Sequence, residues 1–146
     1  MSLIPEKLYK QIMENMPIPC VDLAIRRGNK FLLIKRKNKP VLGKWWMPGG
    51  RILKNESLID AAKRKCVEEC GVKPVNLTEI GTYVYMGKDA VFEDIKTGIH
   101  TISVVFEAEL PLGEIKIDKN HSEFGWFEVS EFPSELKEIA KKVRLS

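Results

Sequence analysis

Residues 50–72, GRILKNESLIDAAKRKCVEECGV, decide the fold of this 146-residue chain. A second glycine, Gly49, stands directly before them, and Ser57 and Asp60 have the spacing of a helix N-terminal capping box. Gly71 supplies a helix stop. Apolar residues recur at helical spacing between these signals, at Ile59, Ala62, Cys66 and Cys70. Residues 49–72 therefore predict a tight glycine loop that leads into one helix.

The charged residues of this helix allow two interpretations. Arg64 and Glu68 stand four positions apart, as do Lys65 and Glu69. Residues at that spacing face each other on a helix and are typical of surface ion pairs. The same charges also suit a site that holds a divalent cation against a diphosphate.

The glycine loop favours the second interpretation. Gly49 and Gly50 carry no Cβ atoms, so a backbone carbonyl and amides can approach a ligand closely. Carboxylates and a carbonyl suit Mg²⁺ or Mn²⁺, which take their remaining ligands from water and substrate phosphates. The loop and helix together predict phosphate chemistry that depends on a divalent metal.

Length and composition limit the class of protein. With 44% hydrophobic and 30% charged residues, 146 residues are typical of one globular domain, which we assign to residues 1–146. No apolar run has membrane-span length, and the first residues lack a secretory signal, so we expect a cytoplasmic protein without a membrane partner. Three cysteines and two histidines argue against structural zinc and favour buried thiols.

Basic residues are concentrated ahead of the glycine loop. They are Arg26, Arg27, Lys30, Lys35, Arg36, Lys37, Lys39 and Lys44. Such a cluster is either the solvated surface of a hairpin or a landing surface for polyanions, and its position beside the loop favours the second. Because no aromatic and basic signature of an RNA-binding module accompanies it, we expect no nucleic-acid partner.

The rest of the chain shows alternating helix and strand patterns. One helix is predicted for residues 5–16 and another for about residues 133–144. Leu8, Ile12 and Met16 give the first helix an apolar stripe, which could serve a dimer or cap the chain's own sheet. Leu136, Ile139, Ala140 and Val143 line one side of the last helix. A hairpin is predicted around Gly28, with further strands at 77–86, 99–110, 115–117 and 124–127. This order predicts an α/β fold with a mixed sheet between helices.

The loop and helix resemble the Nudix hydrolase box. That pattern is glycine, five residues, glutamate, seven residues, arginine, glutamate, an apolar residue, any residue, two glutamates, any residue, glycine and an apolar residue. The matching positions are Gly50, Glu56, Arg64, Cys66, Glu68, Glu69, Gly71 and Val72. The resemblance implies an α/β/α sandwich around a mixed central sheet and a hydrolase that uses Mg²⁺, with Mn²⁺ as its substitute.

One position departs from the box. Lys65 follows Arg64, where the pattern has a glutamate that binds metal or activates water in many relatives. A lysine ammonium neither accepts a proton from water at neutral pH nor binds magnesium. Hydrolysis of the usual family kind therefore needs a base at another position.

This departure points to a branch of the family with an altered box, the GDP-mannose mannosyl hydrolases. The chain is similar to that branch from about residue 17 to 126, at PIPCVD (17–22), FLLIKR (31–36), GGR (49–51) and His121, five positions before Trp126. The resemblance implies hydrolysis of a nucleoside diphosphate sugar at the sugar anomeric carbon, with one magnesium ion. It also implies a homodimer.

The same resemblance implies the catalytic roles. His121 deprotonates the attacking water, which an ordinary imidazole pKa of about 6.5 permits at neutral pH. Arg36 and Arg51 neutralise the charge that grows on the departing diphosphate. Asp22 holds a sugar hydroxyl or Arg36. Without the resemblance, His121 is equally well a loop histidine in water, and Asp22 a structural strand residue.

The implied metal ligands surround the start and end of the box. They are Glu69 and the Gly49 carbonyl, with Glu68 as an additional carboxylate. Asn120 stands where the branch has a metal-binding glutamine, and its side chain is one methylene shorter.

The other box residues are predicted to have structural roles. Glu56 lies just before the helix, where a carboxylate complements the helix dipole and braces the loop. Arg64 is predicted to orient the carboxylates and the loop. Gly50 and Gly71 complete the box at the loop and at the end of the helix.

Two other functions are compatible with the sequence. The first is an ordinary pyrophosphohydrolase acting on ADP-ribose, nucleoside triphosphates or capped RNA, with Glu68 or another carboxylate as base. The second is a non-catalytic nucleotide sensor, because Lys65 would abolish hydrolysis at an ordinary site of the family and leave phosphate binding intact.

Overall fold

A computed structural model describes residues 4–38, 42–88, 92 and 94–146. Lys39 of the basic cluster lies outside these residues. The described elements, in chain order, are α1 (Glu6–Asn15), β1 (Ile18–Arg27), β2 (Lys30–Arg36), β3 (Trp45–Trp46), β4 (Gly49–Arg51), α2 (Leu58–Cys70), β5 (Val75–Gly87), β6 (Ile99–Glu109), β7 (His121–Phe127), a 3₁₀ turn (Val129–Glu131) and α3 (Ser134–Lys142). Within the described residues, every helix is too short or too polar to cross a bilayer.

The described strands form a seven-stranded mixed sheet. Its order is β3-β2-β1-β6-β5, with β4 paired to β1 and β7 paired to β2. β1 and β6 run parallel, and the other pairs run antiparallel. The predicted hairpin joins β1 to β2 through Gly28, whose φ of 63° lies in the left-handed region that favours glycine.

Helices cover both faces of this sheet. Successive side chains of a strand point to opposite faces, and β1 shows the consequence. Leu23 packs in one buried cluster with Ala62 and Cys66 of α2, whereas Ala24 packs in another with Leu136 of α3. The α/β/α sandwich with a mixed central sheet is therefore confirmed.

The box helix begins and ends with the predicted signals. The Ser57 hydroxyl accepts a hydrogen bond from the backbone N–H of Asp60 at 3.1 Å, and Gly71 ends the helix with a φ of 72°. Cys66 and Cys70 are fully buried. Ile59, in the first turn of the helix, is 46% exposed, so the first of the predicted apolar positions does not face the core.

The apolar stripe of the first helix faces the protein only in part. Leu8 is 48% and Met16 59% exposed, whereas Met13 is buried. The helix packs through Met13 against Ile18 and Ile95, with Ile12 at the edge of that cluster. It therefore contacts the start of β1 through a face rotated partly away from that stripe.

Two predictions near residue 120 also need correction. Residues 115–117 form no strand, because the Lys116 N–H donates to the carbonyl of Cys70 at the end of α2, at 2.9 Å, instead of to a neighbouring strand. The last strand begins at His121 and not at residue 124, since Arg36 of β2 pairs with His121 across a register shift.

Candidate active site

A cavity of about 300 Å³ opens among the glycine loop, α1, α2 and the sheet. Seven of the residues predicted to be catalytic or metal-binding line it, namely Asp22, Arg36, Gly49, Arg51, Glu69, Asn120 and His121. Glu68 is not among the described residues of its wall. Strands from both halves of the sheet thus bring together residues that lie up to 99 positions apart in the sequence.

At Gly49 and Gly50 the backbone lies in close contact with the neighbouring residues of β1 and α2. Gly49 pairs with Asp22 of β1, and a Cβ atom at position 49 would collide with the Asp22 carboxylate and the Val21 carbonyl. A Cβ atom at position 50 would lie 2.7 Å from Cε of Lys65. Gly49 is therefore required by neighbours that leave no room, whereas a side chain at position 50 would displace the flexible end of Lys65. The approach of this backbone to a ligand stays a prediction.

Glu69 lies at the centre of the cavity wall and is only 5% exposed. Its Oε1 atom accepts a hydrogen bond from the Gly49 N–H at 2.8 Å, and Lys65 Nζ lies 3.4 Å from its Oε2 atom. Burial raises the pKa of Glu69, against the opposing effects of Lys65 and Gly49. Gly49 thus contacts Glu69 through its amide, while its carbonyl remains a predicted metal ligand.

His121 forms a buried pair with Asp118. The imidazole is 3% exposed, and its Nδ1 atom lies 2.6 Å from Oδ1 of Asp118. Because an ionised carboxylate only accepts hydrogen bonds, we assign the proton of this contact to Nδ1. The other ring nitrogen, Nε2, is then unprotonated in the neutral imidazole and can accept a proton.

Glu69 joins this pair to form a group that can hold a metal ion. One ligand atom from each of Glu69, Asp118 and His121 lies within 4.8 Å of the other two. Two carboxylates supply the hard oxygen donors that Mg²⁺ and Mn²⁺ prefer. The residues present therefore fit the divalent metal that the sequence predicts.

A network of ion pairs surrounds Arg64 on the other side of the loop. Its Nε atom lies 2.7 Å from Oε2 of Glu56, its Nη1 atom 3.0 Å from Oε1 of Glu68, and its Nη2 atom 2.9 Å from the Arg51 carbonyl. Glu56 also accepts from the Leu53 N–H at 3.0 Å. Arg64 thus ties α2 to both ends of the loop, which is the bracing geometry expected of it and Glu56.

Glu68 belongs to this network. Its Oε2 atom lies 3.1 Å from Lys65 Nζ, and its Oε1 atom faces Arg64. Burial alone would raise the pKa of Glu68, but hydrogen bonds from Arg64 and Lys65 bring it below the ordinary value. Glu68 is therefore occupied as an ion-pair partner, and its role as a metal ligand stays a prediction.

Asp22 lies on the cavity floor and is nearly inaccessible. Burial raises its pKa to about 7, although hydrogen bonds from Tyr83 and Ser103 and the charge of Arg36 act in the other direction. The Tyr83 hydroxyl donates to Asp22 Oδ2. Tyr83 and Ser103 are two partners that the sequence did not indicate, and the contact of Asp22 with a sugar hydroxyl stays a prediction.

The remaining predicted residues lie around the cavity. Arg36 ends β2, and Arg51 ends β4. Asn120 is exposed, its amide oxygen accepts from Asn38 at 3.1 Å, and its amide nitrogen lies 3.4 Å from Asp118. The Asn120 oxygen is therefore directed to another side chain, and its role toward a metal stays a prediction.

Asp118 is the functional residue that the sequence interpretation missed. It was assigned to a polar loop, although it precedes His121 by three positions. An aspartate and a histidine at that spacing, directly before a strand, can form a hydrogen bond across a turn, and the His121 N–H does bond to the Asp118 carbonyl at 3.3 Å. The three-residue spacing of Asp118 and His121 could therefore have indicated this contact from the sequence.

Comparison with known proteins agrees with this geometry. Residues 16–145 match the NUDIX domain family. The chain belongs to this family.

Curated relatives of this NUDIX protein include two archaeal proteins. It is 35% identical over 125 residues to the low-salt glycan biosynthesis protein Agl8 of Haloferax volcanii, covering 86% of the chain and 80% of that protein. It is 34% identical over 117 residues to the ADP-ribose pyrophosphatase of Methanocaldococcus jannaschii, covering 80% of the chain and 65% of that protein.

Among solved structures, the MutT NUDIX hydrolase from Burkholderia pseudomallei superposes with a TM-score of 0.74 at 27% identity, covering 90% of this chain and 98% of that one. The NUDIX domain of Shewanella oneidensis NrtR, solved with ADP ribose, superposes with a TM-score of 0.67 over 97% of both chains. Its 22% identity makes this a likeness of fold.

Proposed function

We propose that this NUDIX protein hydrolyses a nucleoside diphosphate sugar by attack of water at the sugar anomeric carbon, as GDP-mannose mannosyl hydrolases do. The observation that carries the proposal is the contact of the buried His121, which lines the cavity beside Glu69, with Asp118. It supplies a base in a chain whose box has Lys65 at the position of a usual carboxylate. His121 is thus a candidate for the base that must lie outside the box.

His121 acts as the general base. Asp118 accepts from Nδ1–H and keeps Nε2 unprotonated, so that Nε2 takes a proton from the attacking water. The water oxygen forms the new bond to the anomeric carbon as the bond from that carbon to the diphosphate oxygen breaks. The bonding electrons leave with the nucleoside diphosphate, and the products are free sugar and nucleoside diphosphate.

Charged residues of the cavity then stabilise the departing group. Arg36 and Arg51 line the cavity and present guanidinium groups to the diphosphate. Glu69 and the Gly49 carbonyl would hold the Mg²⁺ ion, which when bound supplies positive charge to the same leaving group. Asp22 lines the cavity, and we infer that it accepts a hydrogen bond from a sugar hydroxyl in addition to the one from Tyr83.

The relatives support a substrate that contains a sugar. One is named for glycan biosynthesis, and the other for ADP-ribose, in which the diphosphate is joined to C5 of the ribose and not to its anomeric carbon. Neither name specifies which bond this chain breaks. The position of the base is therefore the stronger support for attack at carbon.

Product analysis in ¹⁸O-labelled water tests the proposal. GDP-mannose, GDP-glucose and ADP-ribose are incubated separately with the protein and Mg²⁺, and the products are identified by mass spectrometry. From GDP-mannose and GDP-glucose we expect free sugar that carries the label, together with unlabelled nucleoside diphosphate. ADP-ribose, whose diphosphate is joined to C5 of the ribose, tests for an ordinary pyrophosphohydrolase. Label on a phosphate would overturn the proposal and assign the usual cleavage at phosphorus.

The proposal includes a homodimer, which the resemblance implies. Sedimentation equilibrium measures this directly, and a mass of one chain at micromolar concentration would contradict it.

A further inference from the structure

Helix α1 contributes to the cavity although it precedes the NUDIX match. That match begins at residue 16, and α1 spans Glu6–Asn15. Tyr9 and Met13 of α1 nevertheless line the same cavity as Glu69 and His121. Part of the candidate active site is therefore built by residues ahead of the family-matched region.

Specific contacts hold α1 in this place. Met13 is buried in a small cluster with Ile18 and Ile95, apart from the two main cores. The Tyr9 ring packs edge-on against Phe92, with the ring centroids 6.3 Å apart. Lys10 forms an ion pair of 2.8 Å with Asp94. The packing of Met13 and Phe92 fixes the Tyr9 ring at the edge of the cavity, whereas the exposed Lys10–Asp94 pair adds little.

The Tyr9 ring in turn supports Arg51. The Arg51 Cζ atom lies 4.7 Å from the centroid of that ring, which is cation–π geometry. Burial raises the pKa of Tyr9, and the nearby Arg51 charge opposes this shift, so the ring carries a neutral hydroxyl at physiological pH. In the part of the chain that the structure describes, no carboxylate forms an ion pair with the Arg51 guanidinium. Its positive charge thus remains available to an anion in the cavity.

The register of β1 places Arg51 between α1 and the glycine loop. Ile18, at the start of β1, packs against Met13 of α1. Cys20 pairs with Arg51, and Asp22 pairs with Gly49. Since a strand rises about 3.3 Å per residue, these three positions of β1 cover roughly 13 Å from the α1 end to the Glu69 end. A diphosphate near Gly49 and Glu69 would have Arg51 on its α1 side.

We propose that α1 closes the apolar end of the cavity and that its Tyr9 is a positioning residue for Arg51, the guanidinium that meets the diphosphate of the substrate. This inference rests on the proposed function for the identity of the ligand. It concerns binding of the diphosphate and not which bond is broken. Tyr9 acts through Arg51 and is not itself assigned a contact with the reacting atoms.

Calorimetric titration with inorganic pyrophosphate in the presence of Mg²⁺ tests the inference. The variants are Tyr9→Leu, Tyr9→Phe, Arg51→Gln and the double variant Tyr9→Leu/Arg51→Gln. A cation–π contact of this kind corresponds to a change in affinity of about 3- to 30-fold, so we expect Tyr9→Leu to weaken binding within that range. Tyr9→Phe keeps the ring and should bind as the unmodified protein does.

The double variant distinguishes positioning from an independent effect. If Tyr9 acts through Arg51, the double variant binds no more weakly than Arg51→Gln alone. Additive losses, or an unchanged affinity for Tyr9→Leu, would overturn the inference. Thermal unfolding of each variant confirms that the losses occur in folded protein.

Lys10→Met is the matched control on the same helix. It removes the ion pair with Asp94 and leaves Tyr9 and Arg51 in contact, so we expect unchanged binding of pyrophosphate. A loss equal to that of Tyr9→Leu would assign the effect to docking of α1 as a whole and contradict positioning by the ring. Because pyrophosphate contains no sugar, these results are independent of the bond-cleavage result that tests the proposed function.

Discussion

Two regions border the candidate active site, and they use their charges differently. On the Arg64 side, Glu56 and Glu68 are partly exposed and paired with cations, and hydrogen bonds from Arg64 hold the pKa of Glu56 below its ordinary value. On the His121 side, Glu69 is buried, its pKa is raised, and it faces Asp118 and His121. The three glutamates of the box therefore have different surroundings, although they look alike in the sequence. Glu56 and Glu68 brace the loop, and Glu69 faces the candidate base.

The largest expected effect is that of His121→Ala. Removing the base should lower kcat by about 10²- to 10⁴-fold, because general base catalysis contributes roughly that factor. Steady-state hydrolysis of the substrate found by product analysis measures it. His100→Ala is the matched control, since His100 is the other histidine of the chain and lies outside the described cavity wall. Retained turnover in His121→Ala would mean that the base lies in the other region.

Glu69→Gln compared with Glu68→Gln tests the contrast between adjacent carboxylates. We expect Glu69→Gln to weaken Mn²⁺ binding by at least about 10-fold. Changing a group that merely orients a metal ligand already costs about that much in metal affinity, and loss of a ligand itself should cost no less. Glu68→Gln should change the affinity little, because its partners are Arg64 and Lys65. Electron paramagnetic resonance of free Mn²⁺ provides the affinities. Equal losses in both variants would remove the distinction between the two regions, and full turnover in EDTA would exclude a required metal.

Asp118→Asn should have an intermediate effect on turnover. The amide keeps the shape but not the charge that orients the imidazole, and comparable changes next to metal-binding histidines cost about 10- to 100-fold. The measurement is kcat in Asp118→Asn, His121→Ala and the double variant. Because Asp118 acts through His121, the double variant should be no slower than His121→Ala. A further loss in the double variant would show that Asp118 has an independent role, such as metal binding.

The smallest expected effect on turnover is that of Arg64→Lys, which acts mainly on stability. Lysine keeps the charge but cannot reach Glu56, Glu68 and the Arg51 carbonyl together. We expect a loss of about 1–3 kcal/mol in the free energy of unfolding, because partly buried groups lose hydrogen bonds. Urea denaturation measures this loss. A fall in kcat as large as that of His121→Ala, without a loss of stability, would contradict a bracing role.

The box residues were predictable because their spacing is a local property. Ser57, Asp60 and Gly71 act through bonds to neighbours within one or two helical turns, so their roles are visible in the sequence. The inward face of α1 was not visible, since it depends on where the start of β1 and residue 95 lie. The strand expected at 115–117 failed for the same reason, because its backbone bonds to the end of α2.

The sequence by itself determined the sandwich fold, the glycine loop, the box helix and the family, because hydrophobic periodicity and fixed spacings are sufficient for these. Only the tertiary structure decided which carboxylates are buried and which are neutralised by cations, since burial and pairing depend on residues distant in the chain. It also placed Asp118 against His121, and Tyr9 against Arg51. These contacts arise where loops and helices meet across the sheet, and no local pattern encodes their distances.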